Sequence, residues 1–333
     1  MELVKKLSTE NIEKILSDNF VKLMPAFYEM QSSFLSGVYR RYGDLEGGHI
    51  VVFFAKNCHL GILRQRENNL NFDLSLDNFW NNHKKIHQDK QKIIYIAKET
   101  GLPKETTRRK ILELIKKKHL QSDKSRLFWE PASEFKETYI KIITQQIRSL
   151  SKFIFEQSRY LDLSIPFNRI EKDIKKYYSF YWYHYLNVQL QYIKFWQEQL
   201  KDLEMLLIGL QSIIQTINYI NTKVTGSFDA NFVKKIPKNL NFSEANISAT
   251  SISEVTGIPR ATCIRKLEKF VKLNILKKDN LTKRYHLQLS GLNRQFPLNL
   301  SEDISGTELQ AKKAIGLFGE FSSIVLRSMS RNK

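Results

Sequence analysis

The sequence predicts a mainly α-helical protein with two small β-hairpins, laid out as a tandem duplication with pseudo-twofold character. Three observations predict this. Ile94–Asp123 and Thr250–Asp279 align without a gap at an offset of 156, and 10 of the 30 positions are identical. The apolar residues of the long segments around them recur at helical spacing. After each aligned segment come two short runs flanking a polar, basic tip, the pattern of a hairpin.

The elements follow in order. Residues 1–132 form a first repeat, with long helices over 8–70 and a smaller motif over 72–130. Residues 133–165 are a connecting helix and loop, because Ile140, Ile143, Ile147, Leu150 and Ile154 share one helical face and Leu161–Pro166 breaks it. Residues 166–296 form the second repeat, with helices over 166–222 and the motif over 228–290. Upstream of the motifs the halves match again at an offset of 158. Asn11-Ile12-Glu13-Lys14 faces Arg169-Ile170-Glu171-Lys172, Gln31 faces Gln189, and Asp44-Leu45-Glu46 faces Asp202-Leu203-Glu204. Residues 297–333 are a C-terminal arm carrying a last helix over Glu308–Ser328.

Within the second motif, Ser251–Thr256 is a short helix that stops at Gly257, the residue best able to adopt the left-handed conformation. Ile258 points to the core, and Pro259 opens the next helix, where its missing N–H is no loss. Along Arg260–Leu273, Cys263, Leu267, Phe270 and Val271 form the core stripe. Ala261, Thr262, Arg265, Glu268, Lys269 and Lys272 lie opposite. The first motif repeats this with Thr107, Ile111, Leu114 and Ile115 inside, and Glu105, Thr106, Arg109, Glu113 and Lys116 outside. Three identities, Thr106/Thr262, Arg109/Arg265 and Lys116/Lys272, fall on the outer face, where packing does not dictate residue type. The hairpins are expected over Ile275–Lys277 with Lys283–Leu289, and over His119–Gln121 with Leu127–Trp129.

The run ISEVTGIPRATCIRKLEKFVKLNIL resembles the winged helix-turn-helix of bacterial transcriptional regulators. The resemblance covers about 45 residues per copy and is specific for fold. It implies two tandem winged helices in which Lys104–Lys116 and Arg260–Lys272 read the major groove while the hairpins lie along the phosphate backbone. The expected DNA contacts of the first copy are Lys104, Thr106, Arg108, Arg109, Lys116, Lys117, Lys118, Lys124 and Arg126. Those of the second are Arg260, Thr262, Arg265, Lys269, Lys272, Lys277, Lys278, Lys283 and Arg284. Glu105 departs from the usual pattern, either repelling phosphate or accepting from a cytosine amino group.

Charge agrees with this expectation. The net charge is +19, residues 84–126 hold 14 Lys/Arg against 5 Asp/Glu, and residues 251–294 hold 10 against 3. Sixteen of the nineteen net charges therefore sit on two short stretches, the footprint of a polyanion binder. The expected partner is double-stranded DNA, read as an imperfect palindrome by a transcriptional regulator. Alternatives are a plasmid-type replication initiator, a family that also carries two tandem winged helices, and a non-specific architectural scaffold. No cofactor, metal or enzymatic chemistry is expected: there is no phosphate loop, nucleophile elbow or carboxylate pair.

Met1–Asn19 is charged and lacks the pattern of a secretory leader, and the two cysteines suit a reducing compartment, so the expected location is the cytoplasm, on the nucleoid. Leu203–Ile220 is apolar but striped, a packed helix rather than a membrane span. The aromatic run Tyr177–Tyr185, within Tyr177–Trp196, is either a face for a small-molecule effector or helix packing. His83 and His87 share an i, i+4 register on an expected helix without a third metal ligand. Self-association is left open.

Overall fold

The computed structural model describes residues 5–123, 126–224, 240–288 and 306–331, with 226, 228, 229 and 235. It is mainly helical, as the sequence predicts, with thirteen α-helices and two antiparallel hairpins among the described residues. The helices are α1 (Thr9–Asp18), α2 (Phe20–Tyr42), α3 (Leu45–Asn68), α4 (Leu76–Asn82), α5 (Ile93–Thr100), α6 (Lys104–Lys116), α7 (Lys136–Tyr160), α8 (Phe167–Lys176), α9 (Tyr178–Leu200), α10 (Leu203–Lys223), α11 (Ala249–Thr256), α12 (Arg260–Lys272) and α13 (Gly306–Arg331). Strands β1 (Gln121–Asp123) and β2 (Arg126–Phe128) pair with Gln121 opposite Phe128. Strands β3 (Leu276–Lys278) and β4 (Tyr285–Leu287) pair with Leu276 opposite Leu287.

The element bounds recur. Helices α1 and α2 begin and end 158 residues before α8 and α9, and α5 and α6 do so 156 residues before α11 and α12. Left-handed residues recur with them. Gly43 and Lys201 close α2 and α9, Gly101 and Gly257 close α5 and α11, and Lys118 and Asn274 follow α6 and α12. Local chemistry explains the starts: Ser8, Asp44 and Ser248 each accept a backbone N–H from the first turn of α1, α3 and α11.

The chain forms two compact units, each taking helices from both halves. One comprises Met1–Ser36, Glu156–Leu163 and Glu204–Arg327; the other comprises Gly37–Phe155, Ser164–Leu203 and Ser328–Lys333. These units cut across the expected ranges 1–132 and 166–296, because the apolar faces of the long helices are covered by helices of the opposite half. In the first unit, Gln211 of α10 donates to Ser32 Oγ of α2 at 2.8 Å, and Asn221 donates to the Val21 carbonyl at 2.7 Å. Helix α13 joins the same unit: Phe318 meets Phe27 edge-on at 4.9 Å, and Ser323 Oγ donates to the Leu7 carbonyl at 2.6 Å. Helix α10 is long and apolar enough to cross a membrane, yet Leu203, Leu206, Leu207, Leu210, Ile217 and Ile220 are buried inside the protein.

In the second unit, α3 packs on α9 and an aromatic cluster closes the end. Phe79 stacks on His59 at 4.8 Å and meets Tyr178 edge-on at 5.2 Å, while the Tyr178 and Tyr139 hydroxyls share a hydrogen bond of 2.8 Å. Tyr178, Tyr181, Trp182 and Tyr185 of the aromatic run are buried in packing, while Tyr177, Phe180, Tyr183 and His184 are half-buried. His83 and His87 do not share a helix face: His83 is buried in a 3-10 turn, His83–Lys85, and His87 lies exposed beyond it.

Gly209 of α10 faces Phe270 of α12, whose ring atom Cζ would lie 3.2 Å from an added Cβ. The positions 158 and 156 residues earlier are the buried Val51 and Leu114, so a small–large combination stands where the first half has two medium residues. Gly209→Val is expected to destabilise the protein by about 1–3 kcal/mol through overpacking. Phe270→Leu added to it is expected to recover most of the loss, as read by urea unfolding.

Burial holds the imidazoles of His49 and His59 down at about 3, and those of His83 and His119 at about 4. All four belong to the second unit. The unfolded chain takes up protons near pH 6.5, where the folded one does not. Their contribution is therefore full above about pH 6.5 and is lost as pH falls towards 4, at up to about 1.4 kcal/mol per pH unit for each histidine. Hydrogen exchange at pH 7 and pH 5 is expected to show this unit losing protection first, and His59→Phe is expected to flatten the dependence.

Candidate nucleic-acid interface

Each small motif is built by one turn. Helix α5 stops at Gly101 (φ +71°) and α11 at Gly257 (φ +81°), and the next residue but one, Pro103 or Pro259, starts the following helix. Just before the turns, Thr100 Oγ1 donates to the Ile96 carbonyl at 2.8 Å and Thr256 Oγ1 to the Ile252 carbonyl at 2.7 Å. Leu102 and Ile258 fill the corner. The inner stripes are as expected: Thr107, Ile111 and Leu114 are buried in α6, and Cys263, Leu267 and Phe270 in α12, with Ile115 and Val271 half-buried.

The opposite faces are exposed and basic. On and after α6, Lys104, Arg108, Arg109, Lys116, Lys117 and Lys118 are exposed and Thr106 is half-buried. On α12, Arg260, Arg265, Lys269 and Lys272 are exposed or half-buried, as is Thr262. Glu105 lies 4.0 Å from Arg108, and Thr250 Oγ1 accepts from Arg260 Nε at 3.1 Å. Glu105, Thr106, Arg108, Arg109 and Leu112 line an open hollow of about 400 Å³ on α6.

The hairpins differ from the expected strands by one or two residues at their bounds, because cross-strand pairing rather than local composition sets the register. Two residues separate β1 from β2 and six separate β3 from β4. The longer loop is organised by Asp279, whose carboxylate accepts from the Leu281 and Thr282 amides; those bonds hold it below the usual carboxylate range. Leu281 at its tip is 93% exposed. Lys277, Lys283 and Arg284 are exposed, and Arg284 donates to Asn246 Oδ1 at 3.0 Å. Lys278 pairs with Glu268 and lies 5.6 Å from the Tyr285 ring centre. Glu268 also accepts from the Tyr285 hydroxyl at 2.7 Å, so on its part-exposed face it fastens the hairpin to α12. Arg126 is half-buried, 5.3 Å from the Phe128 ring centre, and Lys124 lies outside the described residues.

One pair of lysines has a role that periodicity does not suggest. Lys110 Nζ sits 3.0 Å from Asp44 and 3.9 Å from Glu46 at the start of α3; Lys266 Nζ sits 3.4 Å from Glu204 at the start of α10. All these side chains are largely covered. The two ion pairs occupy matching positions and tie each outward-facing helix to its long-helix support. The signal was present, since the lysines match at one offset and the acids at the other, but nothing in the sequence shows that the two patches touch.

Among the described residues, no group of three or more His, Cys, Asp or Glu side chains could hold a metal. Burial pushes the Cys58 and Cys263 thiols up to about 12 and about 11, leaving both unreactive at neutral pH. No family model, curated protein or solved structure matches the chain.

Lys266→Ala is expected to cost about 1–2 kcal/mol of stability, a partly covered ion pair losing one partner. The loss is expected to show as a lowered urea midpoint, and Lys266→Arg is expected to keep most of the stability.

Proposed function

We propose that the chain is a sequence-specific double-stranded DNA-binding protein, a tandem duplication with two winged helices that acts as a transcriptional regulator. The observation that carries the reading is the repeated basic face. Two helices leave the same left-handed glycine and proline turn 156 residues apart, and each directs threonine, arginine and lysine outward. Nothing in packing requires those residue types twice on a solvent face, whereas a shared polyanionic ligand does. The matched element bounds at offsets of 158 and 156 support the duplication.

In this reading α6 and α12 enter major grooves. Arg109 and Arg265 reach guanine edges, Thr106 and Thr262 meet base edges or thymine methyls, and the lysines contact phosphates. Arg260, which donates to Thr250 Oγ1 at 3.1 Å, and Arg108 read bases beside them. Because the two faces differ at Glu105/Ala261, Arg108/Ile264 and Glu113/Lys269, the target is an imperfect palindrome.

The test is selection from a random duplex library at several salt concentrations. Enrichment of one site with two related half-sites is expected. Arg265→Ala is expected to weaken binding by about 1–3 kcal/mol and to relax preference at one position of one half-site. Equal weakening on every sequence would assign Arg265 to phosphate, unselective binding would overturn sequence specificity, and no binding at low salt would overturn the reading as a whole.

A further inference from the structure

The first hairpin has a basic neighbour that the second lacks. His83 is buried against Phe79 and Trp80, with ring centres 5.5 and 5.0 Å away, and this anchors a 3-10 turn from which Lys84 and Lys85 stand exposed. Lys84 Nζ donates to Ser133 Oγ at 3.4 Å. Four residues on from Lys84, the Gln88 amide grips the peptide of Trp129: its Nε2 donates to the Trp129 carbonyl and its Oε1 accepts from the Trp129 N–H, both at 2.9 Å. That pair of hydrogen bonds fixes the segment beside β2. Side chains alternate along β2 and its extension, so Trp129 turns into the core while Arg126, Phe128 and Glu130 face the segment.

Between them lies a cleft of about 340 Å³ whose walls include Lys84, Lys85, His87, Arg126 and Phe128, with Glu130 the acidic member. At the offset of 156, Lys84, Lys85 and His87 correspond to Leu240, Asn241 and Ser243, so no cation stands there in the second half. The first half also has the less basic outward helix, with Glu105 and Glu113, and the shorter hairpin.

We propose that this cleft grips a DNA backbone phosphate beside the half-site read by α6, an inference that rests on the DNA-binding reading. Three fixed cations against one carboxylate favour a polyanion, and clamped backbone holds them in place before binding. The cleft adds sequence-independent affinity to the half whose reading helix is partly acidic. The two halves of the chain then hold DNA by different means: a six-residue hairpin loop in one, a clamped basic segment in the other.

The experiment measures binding of the selected duplex, and of a scrambled one, by the wild type and by Lys84→Ala/Lys85→Ala/Arg126→Ala. The variant is expected to bind both duplexes more weakly by the same factor. Its plot of log affinity against log salt should be shallower by about 1, since one phosphate that is no longer neutralised reduces the slope by about 0.9. Phosphate ethylation should interfere with wild-type binding next to the first half-site and cease to do so in the variant. Lys84→Ala/Lys85→Ala, which leaves the Arg126–Phe128 contact in place, should give a smaller change of the same kind, and Glu130→Gln should tighten binding. A wild type that binds while the variants match it in affinity, salt slope and ethylation pattern would overturn the cleft alone. A wild type that binds no duplex would overturn the DNA-binding reading and the cleft with it.

Discussion

The left-handed glycine at the end of α5 and of α11 is the constraint on which the rest of each motif depends. A residue with a Cβ is strained at φ near +70° to +80°. An added Cβ at Gly101 would also come within 3.2 Å of Lys194. The turn sends the chain off at a new angle, and the proline two residues on begins a helix without wasting a donor. From that angle one face of α6 or α12 meets the core through Thr107 or Cys263, and the other must face water. The hairpin then has one place to go, against the exposed flank of the same helix. Glycine therefore determines which side of the next helix is available to a ligand.

A turn alone does not hold an outward-facing helix steady. The matched ion pairs, Lys110 to Asp44 and Glu46 and Lys266 to Glu204, and the apolar contact of Phe270 with Gly209 attach the outward helices to long helices that are themselves well buried. Glu46 shows the balance of forces: burial raises its carboxyl pKa, and the Lys110 ammonium works against that rise. Such pairs, partly covered, add only modestly to stability, since desolvation offsets much of their attraction.

The two halves share element bounds but differ in chemistry. The first carries Glu105, the exposed Leu112, a two-residue hairpin link and the clamped Lys84–Gln88 segment. The second carries a more uniformly cationic face and a longer loop shaped by Asp279. The four buried neutral histidines are found with the first motif, in one compact unit. Acidity therefore bears on the stability of that motif's support more than on that of the other.

Local signals were legible because their causes are local. Helical periodicity placed the long helices, and the Gly-x-Pro turn placed the starts of α6 and α12 at Lys104 and Arg260, where the structure has them. The outward faces, and the burial of Cys263, follow from the same periodicity. Tertiary structure decided what depends on partners distant in sequence. It chose α9 to cover α3 and α10 to lie on α2, so that the compact units cross the repeats, because an apolar stripe does not record which other stripe will cover it. It set the strand registers, paired Lys278 with Glu268, buried His83, and used Gln88 to draw a basic segment against a hairpin. Each of these is a pairing of two groups apart in sequence, and only the folded chain brings them within a few ångströms.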